Sequence, residues 1–76
     1  MKPYPRKEQV EALRKAYPAG CMVELLEMND PHAPPVGTKG TVIAVDDVGT
    51  IHVAWQTGSG LGVAYGEDRC RRIDHD

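Results

Sequence analysis

The 76-residue chain has room for one small domain, in which a single core only just offsets the entropy of ordering the backbone. With 41 % apolar and 26 % charged residues, and no run near the roughly 18 apolar residues of a membrane span, it reads as an ordinary soluble protein without membrane insertion. The net charge of −2 argues against a nucleic-acid binder, but its distribution is uneven. Residues 1–20 carry five basic side chains against two acidic ones, residues 21–68 one against seven, and the tail from Arg69 three against two. An acidic body therefore has basic ends, a pattern common in small domains through solvation alone.

Pro3 and Pro5 extend the first residues, and Pro5 suits a position just before or at the start of a helix, where its missing N–H costs nothing. The helix is expected from about Arg6 to Tyr17. Val10, Leu13 and Tyr17 form its apolar stripe, Glu11 and Lys15 an i, i+4 pair, and Pro18 with Gly20 its end. From Cys21 the period changes to two. Cys21, Val23 and Leu25 face one way and Met22, Glu24, Leu26 and Met28 the other, which suits a strand with the helix on its second face.

Asn29 to Lys39 reads as a stiff loop, because Pro31, Pro34 and Pro35 each fix φ and remove a donor. Gly40 opens a strand over Thr41 to Val45, at a point where a side chain would obstruct a tight crossing. Asp46-Asp47-Val48-Gly49 suits a hairpin turn with Gly49 left-handed. Ile51, Val53 and Trp55 then alternate with His52, Ala54 and Gln56 in the clearest strand of the chain. A turn at Gln56 to Gly60, a strand from Leu61 to Tyr65, a turn at Gly66 to Asp68 and a strand from Cys70 to Ile73 complete the pattern. Five short strands in a meander predict a mainly β protein, an SH3-like small barrel over 21–73. An extension and helix over 1–20 precede it and a tail over 74–76 follows. An OB-fold is the alternative, although it needs longer strands and a helix where only five residues are available.

No catalytic constellation emerges, so no enzyme and no cofactor are expected. Asp46 with Asp47 and Glu67 with Asp68 are adjacent turn residues whose carboxylates diverge, whereas acid–base work needs convergence across a cleft. His32 and His52 read as solvated histidines, and Gly58-Ser-Gly60 lacks the strand–turn–helix frame of a phosphate loop. Cys21 and Cys70 lack metal-site spacing to each other or to His32, His52 and His75. The N-terminus lacks the apolar centre of a secretory signal, so a cytoplasmic location with reduced thiols is expected.

The strings Val23-Glu-Leu25, Met28-Asn-Asp-Pro31, Pro34-Pro-Val-Gly-Thr-Lys-Gly-Thr-Val42, Ile51-His-Val53, Trp55 and Gly66-Glu-Asp68 resemble a functionally uncharacterised family of small bacterial and phage proteins carried on mobile elements. The resemblance covers about residues 17–73 and implies an SH3-like barrel without a known activity. Gln56-Thr57-Gly58 stands where that family has Trp-Asp-Asn-Gly, and Tyr65 where it has proline. A more distant similarity is to SH3-like modules of ribosomal and transcription proteins. The motifs of signalling SH3 domains are missing, so proline-peptide binding is not implied.

Two functions are left to weigh. One is a protein-interaction module that meets an unknown protein partner through Pro34, Pro35, Trp55 and Tyr65, with Trp55 itself expected in the core and its indole N–H bonded to the neighbouring loop. The other is a nucleic-acid accessory protein using Arg6, Lys7, Arg14, Lys15, Arg69, Arg71 and Arg72, if the helix and the tail converge on one face. A homodimer is a further option for so small a core.

Overall fold

The computed structural model describes residues 5–74, so the expectations for Lys2, Pro3, His75 and Asp76 fall outside it. In chain order the elements are α1 (Lys7–Ala16), β1 (Met22–Glu27), β2 (Lys39–Val45), β3 (Ile51–Trp55) and β4 (Arg69–Arg72). The protein is mainly β, one helix with a single antiparallel sheet in the order β3-β2-β1-β4. The first three strands form the expected meander. The last strand returns to pair with β1, leaving β3 and β4 as the edges of an open sheet.

Four strands form among the described residues rather than five. The expected strand over Leu61 to Tyr65 is reduced to a bridge, in which Ile51 and Val63 exchange N–H···O bonds of 2.9 and 2.8 Å. Its neighbours explain why pairing stops there. Gly60 and Gly62 contribute no side chain to a ladder, and the chain closes on itself immediately afterwards. The Ala64 carbonyl accepts the Glu67 and Asp68 N–H groups, and Asp68 Oδ2 accepts the Ala64 N–H at 2.9 Å.

Alternation accounts for the core on β1 and β3, where Cys21, Val23 and Leu25 share one buried cluster with Ile51, Val53 and Trp55. On β2 the buried valines are Val42 and Val45, which strict alternation would put on opposite faces. A bulge at Ile43 resolves the conflict. Val42 pairs with Val53 and Ala44 with His52, so the extra residue turns Val45 inward and leaves Ile43 exposed. A second bulge falls between Leu25 and Glu27, opposite Cys70 and Arg69.

Gly40 and Trp55 are opposed across β2 and β3. A Cβ at Gly40 would meet Val53 Cγ1 at 2.5 Å, Trp55 Cε3 at 2.8 Å and the Ala54 carbonyl oxygen at 2.9 Å, so only glycine lets the indole lie against the strand. The indole N–H donates to the Leu61 carbonyl at 2.7 Å, as a buried tryptophan requires. The proline loop is held by bonds within itself and to β1, where the Leu25 carbonyl accepts the Gly37 N–H at 2.8 Å. Asp30 Oδ1 accepts the His32 N–H at 2.7 Å, the Pro35 carbonyl accepts from the Thr38 N–H and hydroxyl, and Pro34 is buried.

The helix begins without a side-chain acceptor at Arg6, and Gln9 Oε1 instead accepts the Arg6 N–H at 2.7 Å. Val10 is buried and Leu13 and Tyr17 pack on the core, as the stripe predicts. The position of α1 differs from expectation. The outer face of β1 carries Glu24, paired with Arg71, while α1 lies across the end of β2 and the following turn. Arg14 fixes it there, donating to the Val45 carbonyl at 3.1 Å and to Asp47 Oδ1 at 2.8 Å. No ion pair forms between Glu11 and Lys15 among the described residues.

Candidate functional site

A groove of about 200 Å³ opens between α1 and the segment running from the Val63 bridge into β4. Its apolar floor includes Ile51 and Val63 of the core. Leu13 and Tyr17 form the helix wall, and Tyr65 with Arg69 stands opposite. Leu26, the residue extra to the β1–β4 register, also reaches it. A bulge that re-aims one side chain therefore contributes a wall that alternation assigns to the other face.

Gly49 holds the near end of the groove tight. Its φ of +82° suits the left-handed turn position, and a Cβ there would meet Pro5 Cγ at 2.8 Å and Tyr65 Cβ at 3.2 Å. The turn itself is organised by Asp46, whose Oδ1 accepts the Val48 and Thr50 N–H groups at 3.1 and 2.9 Å. Its Oδ2 lies 2.8 Å from His52 Nε2. Partial burial pushes the Asp46 carboxyl up, but the hydrogen bonds from His52, Thr50 and Val48 outweigh that and hold it below its ordinary value. Asp46 is thus the turn residue that adjacency implies, with a histidine partner across the hairpin that was legible only once the register was known.

Tyr17, Tyr65, Asp68 and Arg69 are the polar side chains of the groove lining. Neither the Tyr17 nor the Tyr65 hydroxyl has a hydrogen-bond partner among the described residues, and both tyrosines are half-buried. Burial, with Cys70 and Cys21 nearby, raises the Tyr17 phenol above its ordinary value, so it remains a donor at neutral pH. Arg69 is exposed and makes no ion pair among the described residues. Cys70, at the base of the β4 wall, is pushed up to about 11 by burial and by Cys21. It is a packing residue rather than a nucleophile.

Of the four residues expected to meet a partner, Tyr65 alone lines this groove. Pro34 and Trp55 are buried and Pro35 is exposed on the loop, so the four do not form one outward surface. No residue of the loop over 29–38 reaches the groove. The seven basic residues separate as well. Arg14 is bound to Asp47, Arg71 to Glu24, and Arg72 to Asp74 at 2.7 Å. Arg6, Lys7, Lys15 and Arg69 are exposed and form no ion pair among the described residues. Arg72 also donates to the Ala16 carbonyl at 3.3 Å, satisfying an end group of α1.

Sequence reasoning missed Leu13, Tyr17 and Leu26 as site residues, because an apolar stripe reads as core wherever its partner surface is unknown. No group of three or more potential metal ligands occurs among the described residues, and no helix there is long and apolar enough to cross a membrane. Comparison with curated proteins and with solved structures returns no match. A family model does match, over residues 6–73, taking in α1, the whole sheet and the groove between them. The chain accordingly belongs to the family described as a domain of unknown function (DUF4314).

Proposed function

We propose that the protein is a non-enzymatic interaction module that takes one apolar side chain of a partner protein into the groove between α1 and residues 63–70. The observation that carries this reading is the groove itself, apolar on its floor and edged by Tyr17 and Tyr65. Its volume of about 200 Å³ suits one large side chain. Drug-sized ligands occupy roughly 300–1,000 Å³. The strand order, with Val63 bridged to the free edge of β3, supports an SH3-like barrel whose fourth strand has shrunk to one residue pair. The resemblance to proteins of bacterial mobile elements supports a cytoplasmic partner encoded or met by such an element.

Nucleic-acid binding is the weaker reading. The contact between α1 and Arg72 supports it, while the carboxylates on Arg14, Arg71 and Arg72 count against it.

Selection of displayed random peptides tests the proposal, with the wild type run beside Ala64→Phe, which fills the groove, and Tyr65→Ala, which removes a wall. Circular dichroism checks that both variants fold. Enriched sequences sharing one apolar residue, and losing affinity for both folded variants, are the expected result. Binders indifferent to both variants, or no enrichment, would overturn it.

A further inference from the structure

We propose that two copies of this chain meet through the outer face of the sheet, about a two-fold axis that runs along the strands between β1 and β2. Leu13, Tyr17 and Val63 all pack with the core on the inner face, and the groove has its floor there. The outer face is a separate surface, on which Thr41, Ile43 and Ala54 are exposed. The solvated face of an antiparallel sheet is usually polar. Here Ala54, Thr41 and Met22 form an uncharged row across β3, β2 and β1, and the bulge in β2 sets Ile43 beside it, 59 % exposed.

The register makes this face complementary to itself, which is what an isologous interface requires. Lys39 is opposed to Glu24 and Thr41 to Met22, and the bond from the Gly20 N–H to the Val42 carbonyl carries the β1–β2 pairing on to Gly20 beside Ile43. A two-fold axis between the two strands lays β1 of one copy over β2 of the other and so exchanges the members of each pair. Lys39, exposed and without an ion pair among the described residues, then meets Glu24 of the second copy. Thr41 meets Met22. Ile43 meets Gly20, where even a Cβ would find nothing within 4 Å, so the large exposed side chain falls on an open position. At the ends of the charged row Arg71, paired with Glu24 in its own chain, lies over Gln56, and like charges are not opposed in that row. A partner of one charge sign would meet both signs here, whereas a second copy matches both. Strands about 4.8 Å apart and about 18 Å long make a face of roughly 350 Å² in plan. That is the low end of specific interfaces, so the dimer forms at high concentration.

Sedimentation velocity of the full chain, from about 20 μM to about 1 mM at about 50 mM salt, where screening is weak, tests the proposal. The 8.3 kDa chain is expected to move towards twice that mass as the concentration rises. Lys39→Glu and Glu24→Lys each turn both contacts between the copies into like-charge pairs, and each variant alone is expected to self-associate about tenfold more weakly. Mixed together, the two variants restore opposite charges at both contacts, and the mixture is expected to sediment as a heavier species than either alone. Circular dichroism checks that both fold. Ile43→Asp, a change at an exposed site outside the charged row, is expected to weaken association by at least as much and decides the matter if either charge variant does not fold. A single 8.3 kDa species at every concentration, or association that the folded variants leave at the wild-type strength, overturns the proposal. So does a mixture of the folded charge variants no heavier than its components. None of these outcomes bears on the groove, which peptide selection tests independently.

Discussion

Replacing Gly40 by alanine adds a single methyl group at the most crowded backbone position of the sheet. That methyl carbon would lie 2.5 Å from Val53 Cγ1, 2.8 Å from Trp55 Cε3 and 2.9 Å from the Ala54 carbonyl oxygen. The valine can rotate, but the carbonyl is fixed by the β2–β3 pairing and the indole by its bond to Leu61. Overpacking of this kind costs about 1–3 kcal/mol, and a backbone clash puts Gly40 at the upper end. Alanine recovers about 0.4–1 kcal/mol by restricting the unfolded chain, leaving a net loss of about 2 kcal/mol. For a domain of this size that loss lowers the melting temperature by roughly 8–16 °C. Thermal unfolding followed by far-ultraviolet circular dichroism measures it, and Trp55, the single tryptophan of the chain, reports the local change by fluorescence. Gly60→Ala is the control, since a Cβ there meets nothing within 4 Å and its φ is not left-handed. A Gly40→Ala protein as stable as the control would refute the reasoning.

Asp46 gives a pH signature. Its carboxyl is held below the ordinary value of about 3.9, so its stabilisation is complete above that pH and is lost as pH falls through the lower, folded value. Asp46→Asn is expected to flatten part of the acid limb of the stability profile, and superimposable profiles for the two proteins would contradict this. At pH 8 a Cys70 thiol titrating at about 11 is ionised in about one molecule in a thousand, and Cys21 is only 3 % exposed. Both thiols are expected to react slowly with a disulfide reagent in the native protein and at once in denaturant; fast native labelling of either would count against the packing described. Asp47→Ala is expected to cost less than about 0.5 kcal/mol, because its carboxylate is 97 % exposed. Arg14→Ala is expected to cost more, since it also removes the bond to the Val45 carbonyl and the packing of the stem, and equal losses in urea unfolding would remove that distinction.

The parts of the fold legible in the sequence are those governed by local rules. The stripe of Val10, Leu13 and Tyr17, the alternation of Ile51, Val53 and Trp55, the Asp46–Gly49 turn and the tight approach at Gly40 each follow from spacing or from a residue's conformational range. The parts that were not legible depend on register. The bulges at Ile43 and beside Leu26 change which residues face inward, and periodicity carries no sign of an extra residue. The strand over Leu61 to Tyr65 reads correctly by composition, yet its glycines and the Asp68 closure leave one bridge. The docking of α1 was set by Arg14, whose partners lie 31 and 33 residues away. Since α1 forms one wall of the groove, the site was legible only at Tyr65 and Arg69, one from each of two separate hypotheses. The proline loop, conspicuous in sequence, spends its prolines on holding itself in shape.

Chemical-shift mapping of a selected peptide on the ¹⁵N-labelled protein tests the location of the binding site most directly. The largest shifts are expected at Leu13, Tyr17, Tyr65 and Arg69, around the groove. Largest shifts instead at Val36 in the proline loop, or at Thr41 and Ala54 on the exposed face of the sheet, would contradict the account.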